Sequence, residues 1–231
     1  MCGRFAQVIV HDELKKMQDE LKLISQSEQM MLSFNVAPTH PVSAIVAKDD
    51  IRYLGFFRWG LIPSWMKEIP KTAMINIRSE TISEKPSFKV SFMRRRCIVP
   101  ANGFYEWRKQ DKQPYYLHAA EGGLLYMAGI YDVWESPDGS YITSLGIITT
   151  PADSTVEEIH ERMPLLLNTN TRNVWLDYRI QDVATLSPIL EAETGILLTM
   201  YPISKRVNTL SNNDAECLQE IASVALQQSI F

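Results

Sequence analysis

The second residue of the chain is a cysteine, followed by Gly3 and Arg4. Once Met1 is removed, Cys2 carries a free α-amine and a thiol on adjacent carbons. No internal cysteine offers that pair, because its nitrogen is held in an amide. A 1,2-aminothiol reacts twice with an aldehyde: the amine forms a Schiff base, then the thiol closes a five-membered thiazolidine ring. An α-amine with a pKa of about 7.7–8.0 suits such chemistry near neutrality better than a lysine at about 10.4. Neighbouring positive charge activates a thiol, and Arg4 is a candidate source. Cysteine is equally a small buried hydrophobe, so position alone leaves both readings open.

Three other segments are chemically dense. In Met74–Thr81, Asn76 and Arg78 alternate, so an extended backbone puts them on one face. An amide beside a guanidinium can grip a sugar and a phosphate. In Val99–Trp107, Glu106 stands among Phe104, Tyr105 and Trp107. Desolvation there would raise its pKa into the range of a general acid or base, whereas pairing with Arg108 would lower it. In Ile159–Pro164, His160 lies close to Arg162, and an imidazole so placed can move protons near neutrality. A lone histidine is also a common surface residue, and only the fold decides whether it meets Cys2.

The elements that must position these groups are mostly strands. The spacing predicts strands over 2–10, 42–47, 51–59, 95–101, 115–119, 124–131, 141–150, 165–167 and 196–201. Leu14, Met17, Leu21 and Ile24 recur at helical spacing over 12–24. Short helices are predicted over 171–177 and 187–193, and a C-terminal one over 214–225. Ser154 and Glu157 fit a capping box that opens a brief helix before Pro164. Residues 35–38 read as a loop, 60–70 as a Pro-broken loop, and Gly103 as a turn. Strands with helices at the periphery, and no alternating βαβ series, give the class α+β. One domain over 1–231 is expected, with no repeat or low-complexity linker.

Composition narrows the function. No run of 18 or more apolar residues occurs, and Arg4, His11, Asp12 and Glu13 interrupt any leader-like apolar stretch. Three widely spaced cysteines, Cys2, Cys97 and Cys217, do not form a disulfide framework and point to a reducing compartment. The four histidines are scattered and there is no C-x-x-C, so no metal is expected. No phosphate-binding glycine motif implies a nucleotide cofactor. The net charge is −4, yet residues 52–112 carry a net +8 and the remainder −12. A basic surface on an acidic protein fits a nucleic-acid partner. Trp59, Trp65, Phe88 and Phe92 interleave with those basic residues, the pattern of a single-strand stacking groove. Trp65, in Pro63-Ser64-Trp65, is the one most expected to be exposed.

Taken together, Met1–Phe5, Asn35–Pro38, Trp59–Trp65, Asn76–Thr81, Arg96–Trp107 and Ile159–Pro164 resemble the SOS-response-associated peptidase family, in order and across nearly the whole chain. The resemblance implies a mainly antiparallel β core, barrel-like or sandwich-like, with peripheral helices. It implies recognition of abasic sites in single-stranded DNA, including those at single/double-strand junctions, and covalent attachment through Cys2 as a thiazolidine. AP-lyase and autopeptidase activities are implied beside it. Asn76 would position the sugar, Glu106 would be the acid/base, and His160 would assist ring opening and reversal. Arg4, Arg78, Thr149 and Arg162 would contact DNA, and Trp65 would wedge against bases. Ile77, where the family has alanine, and Phe56-Phe57-Arg58 depart from the pattern without touching a catalytic atom. A soluble monomer in the cytoplasm is expected, associated with the nucleoid if bacterial, or nuclear if eukaryotic. Two other readings share these residues: a thiol peptidase using Cys2, and a non-covalent reader of modified DNA.

Overall fold

The computed structural model describes residues 2–24 and 30–221. In chain order the elements are β1 (Arg4–Gln7), α1 (His11–Leu21), β2 (Ser33–Val36), β3 (Pro41–Lys48), β4 (Ile51–Trp59) and β5 (Asn76–Arg78). Then follow α2 (Pro86–Arg94), β6 (Arg96–Ala101), β7 (Gly103–Trp107), β8 (Pro114–Ala119), β9 (Leu125–Glu135) and β10 (Tyr141–Pro151). The chain continues with α3 (Ser154–Glu157), β11 (Arg162–Pro164), α4 (Thr169–Leu176), α5 (Val183–Glu191) and β12 (Leu198–Pro202).

Two sheets carry the architecture. In the first, β10, β4, β3, β6 and β9 are paired in sequence, and β9 pairs back to β10, which closes a five-stranded barrel. All its pairings are antiparallel except β10 with β4. Strands β5 and β11 extend β10 at one end, β5 in parallel. The second sheet is antiparallel, in the order β12-β8-β7-β1-β2. The α+β class with a barrel-like core is therefore the observed one.

Alternation along the strands sorts two cores. Val42, Ala44, Val46, Cys97, Val99, Ala101, Met127 and Leu145 fill the barrel, continuous with Phe5, Phe104 and Leu117 of the second sheet. Ile45, Ile98, Ala128 and Ile130 point the other way, and Met17, Phe92, Trp175 and Leu186 of the helices cover them. Buried Gln7 joins the two sheets. Its Nε2 donates to the carbonyls of Ser43 (2.9 Å) and Pro100 (2.8 Å), and its Oε1 accepts from the Ser43 N–H at 2.8 Å. Gly103 begins a strand rather than a turn. A Cβ there would lie 2.4 Å from the Leu117 carbonyl and 2.6 Å from the Tyr116 ring.

Several local expectations are corrected. The first strand stops at Gln7, because the Asn102 side chain takes the Val8 N–H at 2.6 Å and turns the chain away. Residues 33–36 form β2 rather than a loop. Helix α2 is an addition: Pro86 opens it, and Phe88 and Phe92 lie one turn apart on its packed side. The cap of α3 is Asp153, whose carboxylate accepts from the Val156 N–H, not a Ser154–Glu157 box. Residues 165–167 are buried as expected but bridge to both β10 and β9 without forming a strand of their own. Helix α5 starts four residues early, capped by Asp182. Over 214–221 the chain makes a 3₁₀ turn and a bridge to Ile203 in place of a helix, and 222–225 lie outside the described residues. No helix among the described residues is long and apolar enough to cross a membrane.

Replacing Gln7 by methionine keeps the volume but strands the Ser43 N–H and two carbonyls in the core. Each unmade bond to a buried group costs about 1–3 kcal/mol. Urea unfolding of Gln7→Met should show a loss of about 3 kcal/mol or more; a loss under about 1 kcal/mol would contradict the role given to this amide.

Candidate active site

The register of β1 places the site. Arg4 pairs with Tyr105, so Cys2, two residues earlier, lies level with the Glu106–Trp107 end of β7. From the other side, Phe5 packs edge-on against Trp59 with centroids 5.0 Å apart, and the Trp59 Nε1–H donates to the Ile75 carbonyl at 3.1 Å. That fixes the entry to β5. Asn76 Nδ2 then donates to the Cys2 carbonyl at 2.8 Å. Residues 74 apart in the chain are thus in direct contact. Asn76 Oδ1 is buried and accepts no hydrogen bond from a described residue. An acceptor left in that state is costly.

Cys2 is wholly buried. Burial, and after it the negative charge of Glu106, push its thiol far above the usual range and keep it protonated. Arg4 does not supply the expected positive charge. Its Nη1 donates to Asn35 Oδ1 (2.6 Å) and the Val207 carbonyl (2.8 Å), tying β1 to the C-terminal segment.

Glu106 is 3% exposed, on the face of β7 that also carries Phe104, in the apolar seam between the two sheets. Desolvation pushes its carboxyl up to about 7. The competing pairing with Arg108 does not form, since Arg108 bonds Asp111 at 2.6 Å instead. The negative charge of Glu106 acts on the Cys2 thiol, so these two groups share one locus.

His160 follows α3 and is half-buried. The Arg162 backbone N–H lies against its Nδ1, at 3.0 Å from the nitrogen. Nδ1 also lies 3.2 Å from the Arg162 carbonyl, so in the neutral ring it either accepts from that N–H or donates to that carbonyl, according to the tautomer. Desolvation lowers the pKa of His160, which favours that neutral form. Lys109 reaches across from the β7–β8 turn to Glu161 at 2.9 Å and secures the loop that bears the histidine.

The expected DNA contacts divide. Arg78 is exposed beyond buried Ile77, on the Asn76 side of β5, and makes no ion pair with a described residue. Trp65 is 64% exposed. Its loop is pinned from beneath, Ser64 N–H to Asp132 at 2.9 Å and Trp134 Nε1–H to the Met66 carbonyl at 2.7 Å. Trp59 and Phe92 are core residues, and Phe88 is half-buried. Arg96, counted in the basic stretch, is buried and donates to the carbonyls of Phe92, Met93, Trp175 and Asp177. Thr149 is wholly buried, its carbonyl and hydroxyl both taken by Arg162, so the surface of that strand end belongs to Thr150. Arg162 is itself committed to Glu80. Asn35, read from sequence only as part of a motif, proves to be a buried hub that bonds Arg4 and three C-terminal carbonyls. Among the described residues no three His, Cys, Asp or Glu side chains are grouped to hold a metal ion.

This arrangement has counterparts. The chain is 35% identical over 223 residues to the abasic site processing protein YoqW of Bacillus subtilis, covering 95% of this chain and 99% of that one. It is 33% identical to the abasic site processing protein HMCES of Xenopus tropicalis, covering 96% of this chain and 78% of that protein. A crystal structure of a Bacteroides thetaiotaomicron protein superposes with a TM-score of 0.81 at 27% identity, over 96% of this chain and all of the other. The model of the SOS response associated peptidase family, SRAP, matches residues 1–210. With the fold, the relatives and the family model in agreement over nearly the full length, the chain belongs to the SOS response associated peptidase family.

Proposed function

We propose that this protein captures abasic sites in single-stranded DNA by bonding covalently to them through Cys2 after Met1 is removed. The observation that carries the reading is the convergence on Cys2. Its carbonyl is gripped by Asn76, and Glu106, a buried acid titrating near neutrality, lies within electrostatic reach of its thiol. The names of the relatives supply the substrate class. An opened abasic sugar presents an aldehyde at C1′, the partner a 1,2-aminothiol needs.

The steps balance without an oxidant or reductant. The Cys2 amine attacks C1′ and forms a C–N bond, and the former carbonyl oxygen leaves as water, giving a Schiff base. The sulfur then adds to the same carbon. The C–S bond forms, the imine electron pair moves to nitrogen, and the thiol proton follows it. The adduct is heavier than the protein by the DNA minus one water. Glu106, near pKa 7, takes a proton from the ammonium and returns one to the departing hydroxyl. His160 offers a ring N–H to the sugar ring oxygen as the closed sugar opens. The free Asn76 Oδ1 accepts from a sugar hydroxyl. Arg78 binds phosphate, and Trp65 stacks on or wedges beside a base. Until the thiol adds, the Schiff base acidifies the adjacent C–H and opens a β-elimination route, so lyase activity and ring closure compete at one intermediate.

Intact mass after incubation with a single-stranded oligonucleotide bearing one abasic site should show loss of Met1 and a heat-stable adduct. Cys2→Ser should give a Schiff base that borohydride traps but no heat-stable adduct. An unchanged adduct from that variant would remove the thiol from the chemistry.

The capture rate should rise through about pH 7 as the Glu106 carboxylate forms. Glu106→Gln should lose that limb, keep only the rise of the amine near about 8, and fall about 100-fold or more at pH 7. A wild-type pH profile in this variant would exclude Glu106 from proton transfer.

Arg78→Ala should weaken DNA binding and flatten the dependence of log K on log salt by about 0.7, the value of one phosphate contact on a single strand. Titrations at several salt concentrations measure it, and a wild-type slope would take Arg78 off the phosphate path.

A further inference from the structure

Arg162 sits at the join of three elements. It opens β11, and its side chain is 10% exposed. Both Nη atoms reach the Glu80 carboxylate, Nη2 to Oε2 at 3.0 Å. Nη2 also donates to the Thr149 carbonyl at 2.5 Å and meets the Thr149 hydroxyl at 3.4 Å. Its backbone N–H and carbonyl both lie against Nδ1 of His160. Glu80 lies in the 3₁₀ turn Ser79–Thr81 that directly continues β5, two residues past Arg78 and four past Asn76. Thr149 is paired with Arg78 on one side and with Pro164 on the other. One residue therefore holds the Asn76–Arg78 strand through its side chain and the His160 ring through its main chain.

We propose that the Arg162–Glu80 pair is the positioning element of the cross-linking site, setting His160 against the Asn76–Arg78 strand, and that Arg162 is not a phosphate ligand. The inference deepens the proposed function and rests on it. Charge argues for it first. A phosphate drawn to Arg162 would have to displace a two-pronged carboxylate, and the open side of the pair presents Glu80, which is 47% exposed and negative. Geometry argues for it next. The Nε donor is buried with no partner among the described residues, so it cannot reach DNA at the surface. The planar guanidinium bridges Glu80 and Thr149 at once, which the single ammonium of lysine does not reproduce. Finally, Asn76 lies on β5 and His160 two residues before β11, and these two strands are joined through their common partner β10. Beside the Lys109–Glu161 pair, which ties the histidine loop to the β7–β8 turn, Arg162 is the side chain that ties it to the β5 end.

The test is single-turnover cross-linking of a fluorescent abasic oligonucleotide by Arg162→Lys and Glu80→Gln, with DNA concentration and salt both varied. A displacement of about 1 Å at a reacting centre can cost about 100-fold in rate. Both variants should therefore lose about tenfold to 100-fold in the rate constant at saturating DNA. Their half-saturating DNA concentration and salt slope should stay within about twofold of wild type. Arg78→Ala should show the reverse pattern. A phosphate-ligand role would give the opposite outcome: Arg162→Lys near wild type, and Glu80→Gln binding more tightly with a steeper salt slope and an unchanged saturating rate. That result overturns the proposal. Thermal melts monitored by circular dichroism give the folded fraction. A wild-type saturating rate per folded molecule, with only stability lost, would reduce the pair to fold maintenance and overturn it as well. If Arg162→Lys does not fold, Glu80→Gln carries the test, since it changes only the charge of a half-exposed side chain. Absence of adduct from the wild type would instead overturn the proposed function itself.

Discussion

The structure turns on one buried side-chain amide. Gln7 bonds the backbone of β3 and of β6 at the point where those strands face the second sheet. All three bonds lie out of water, where an unmade one is expensive, so the amide fixes the sheets against each other in one register. Cys2 sits five residues upstream of Gln7, just ahead of the strand that Gln7 anchors. Its position relative to Glu106 on β7 and Asn76 beside the barrel follows from that join. Were the sheets free to slide, the aminothiol would have no defined neighbours.

The same seam sets the chemistry. An apolar interface disfavours charge, so it raises the Glu106 carboxyl and holds the Cys2 thiol neutral. Burial also lowers the pKa of His160. Three groups with ordinary pKa values in water thus become an acid poised near neutrality, a protected thiol and a neutral N–H donor. Cations are kept off this seam. Arg4, Arg96 and Arg162 are spent on carbonyls and carboxylates that hold elements together, whereas Arg78 stands exposed at the rim. A basic stretch in sequence is therefore a poor guide to basic surface, because arginine is also the best side chain for collecting several buried acceptors.

How much was legible without coordinates varied by element. The long strands β4 and β10 are plain from alternation and β-branched content, and the stripe of α1 from Leu14, Met17 and Leu21. Helix α2 was hidden because its aromatic pair reads equally as a stacking surface, and only packing against Trp175 shows which it is. The end of β1 depended on Asn102, 94 residues away from the N–H it takes. A C-terminal helix was plausible by composition, but the described part is held by a bridge to Ile203 that no local pattern announces.

The sequence by itself determined the inventory. It gives an aminothiol at the second position, an amide and a guanidinium on alternate residues, a glutamate among aromatics, and a histidine in a helix-to-strand turn, all on an α+β frame. These follow from residue type and short spacing, which local covalent geometry translates directly. Only the tertiary structure decided which of those groups meet. Asn76 touches Cys2, Glu106 acts on its thiol, and Arg162 turns inward to Glu80 although its sequence context reads as a DNA contact. The reason is physical. A side chain's protonation state and partners depend on what long-range pairing brings within a few ångströms and on how much water it excludes. Neither is encoded in the residues beside it in the chain.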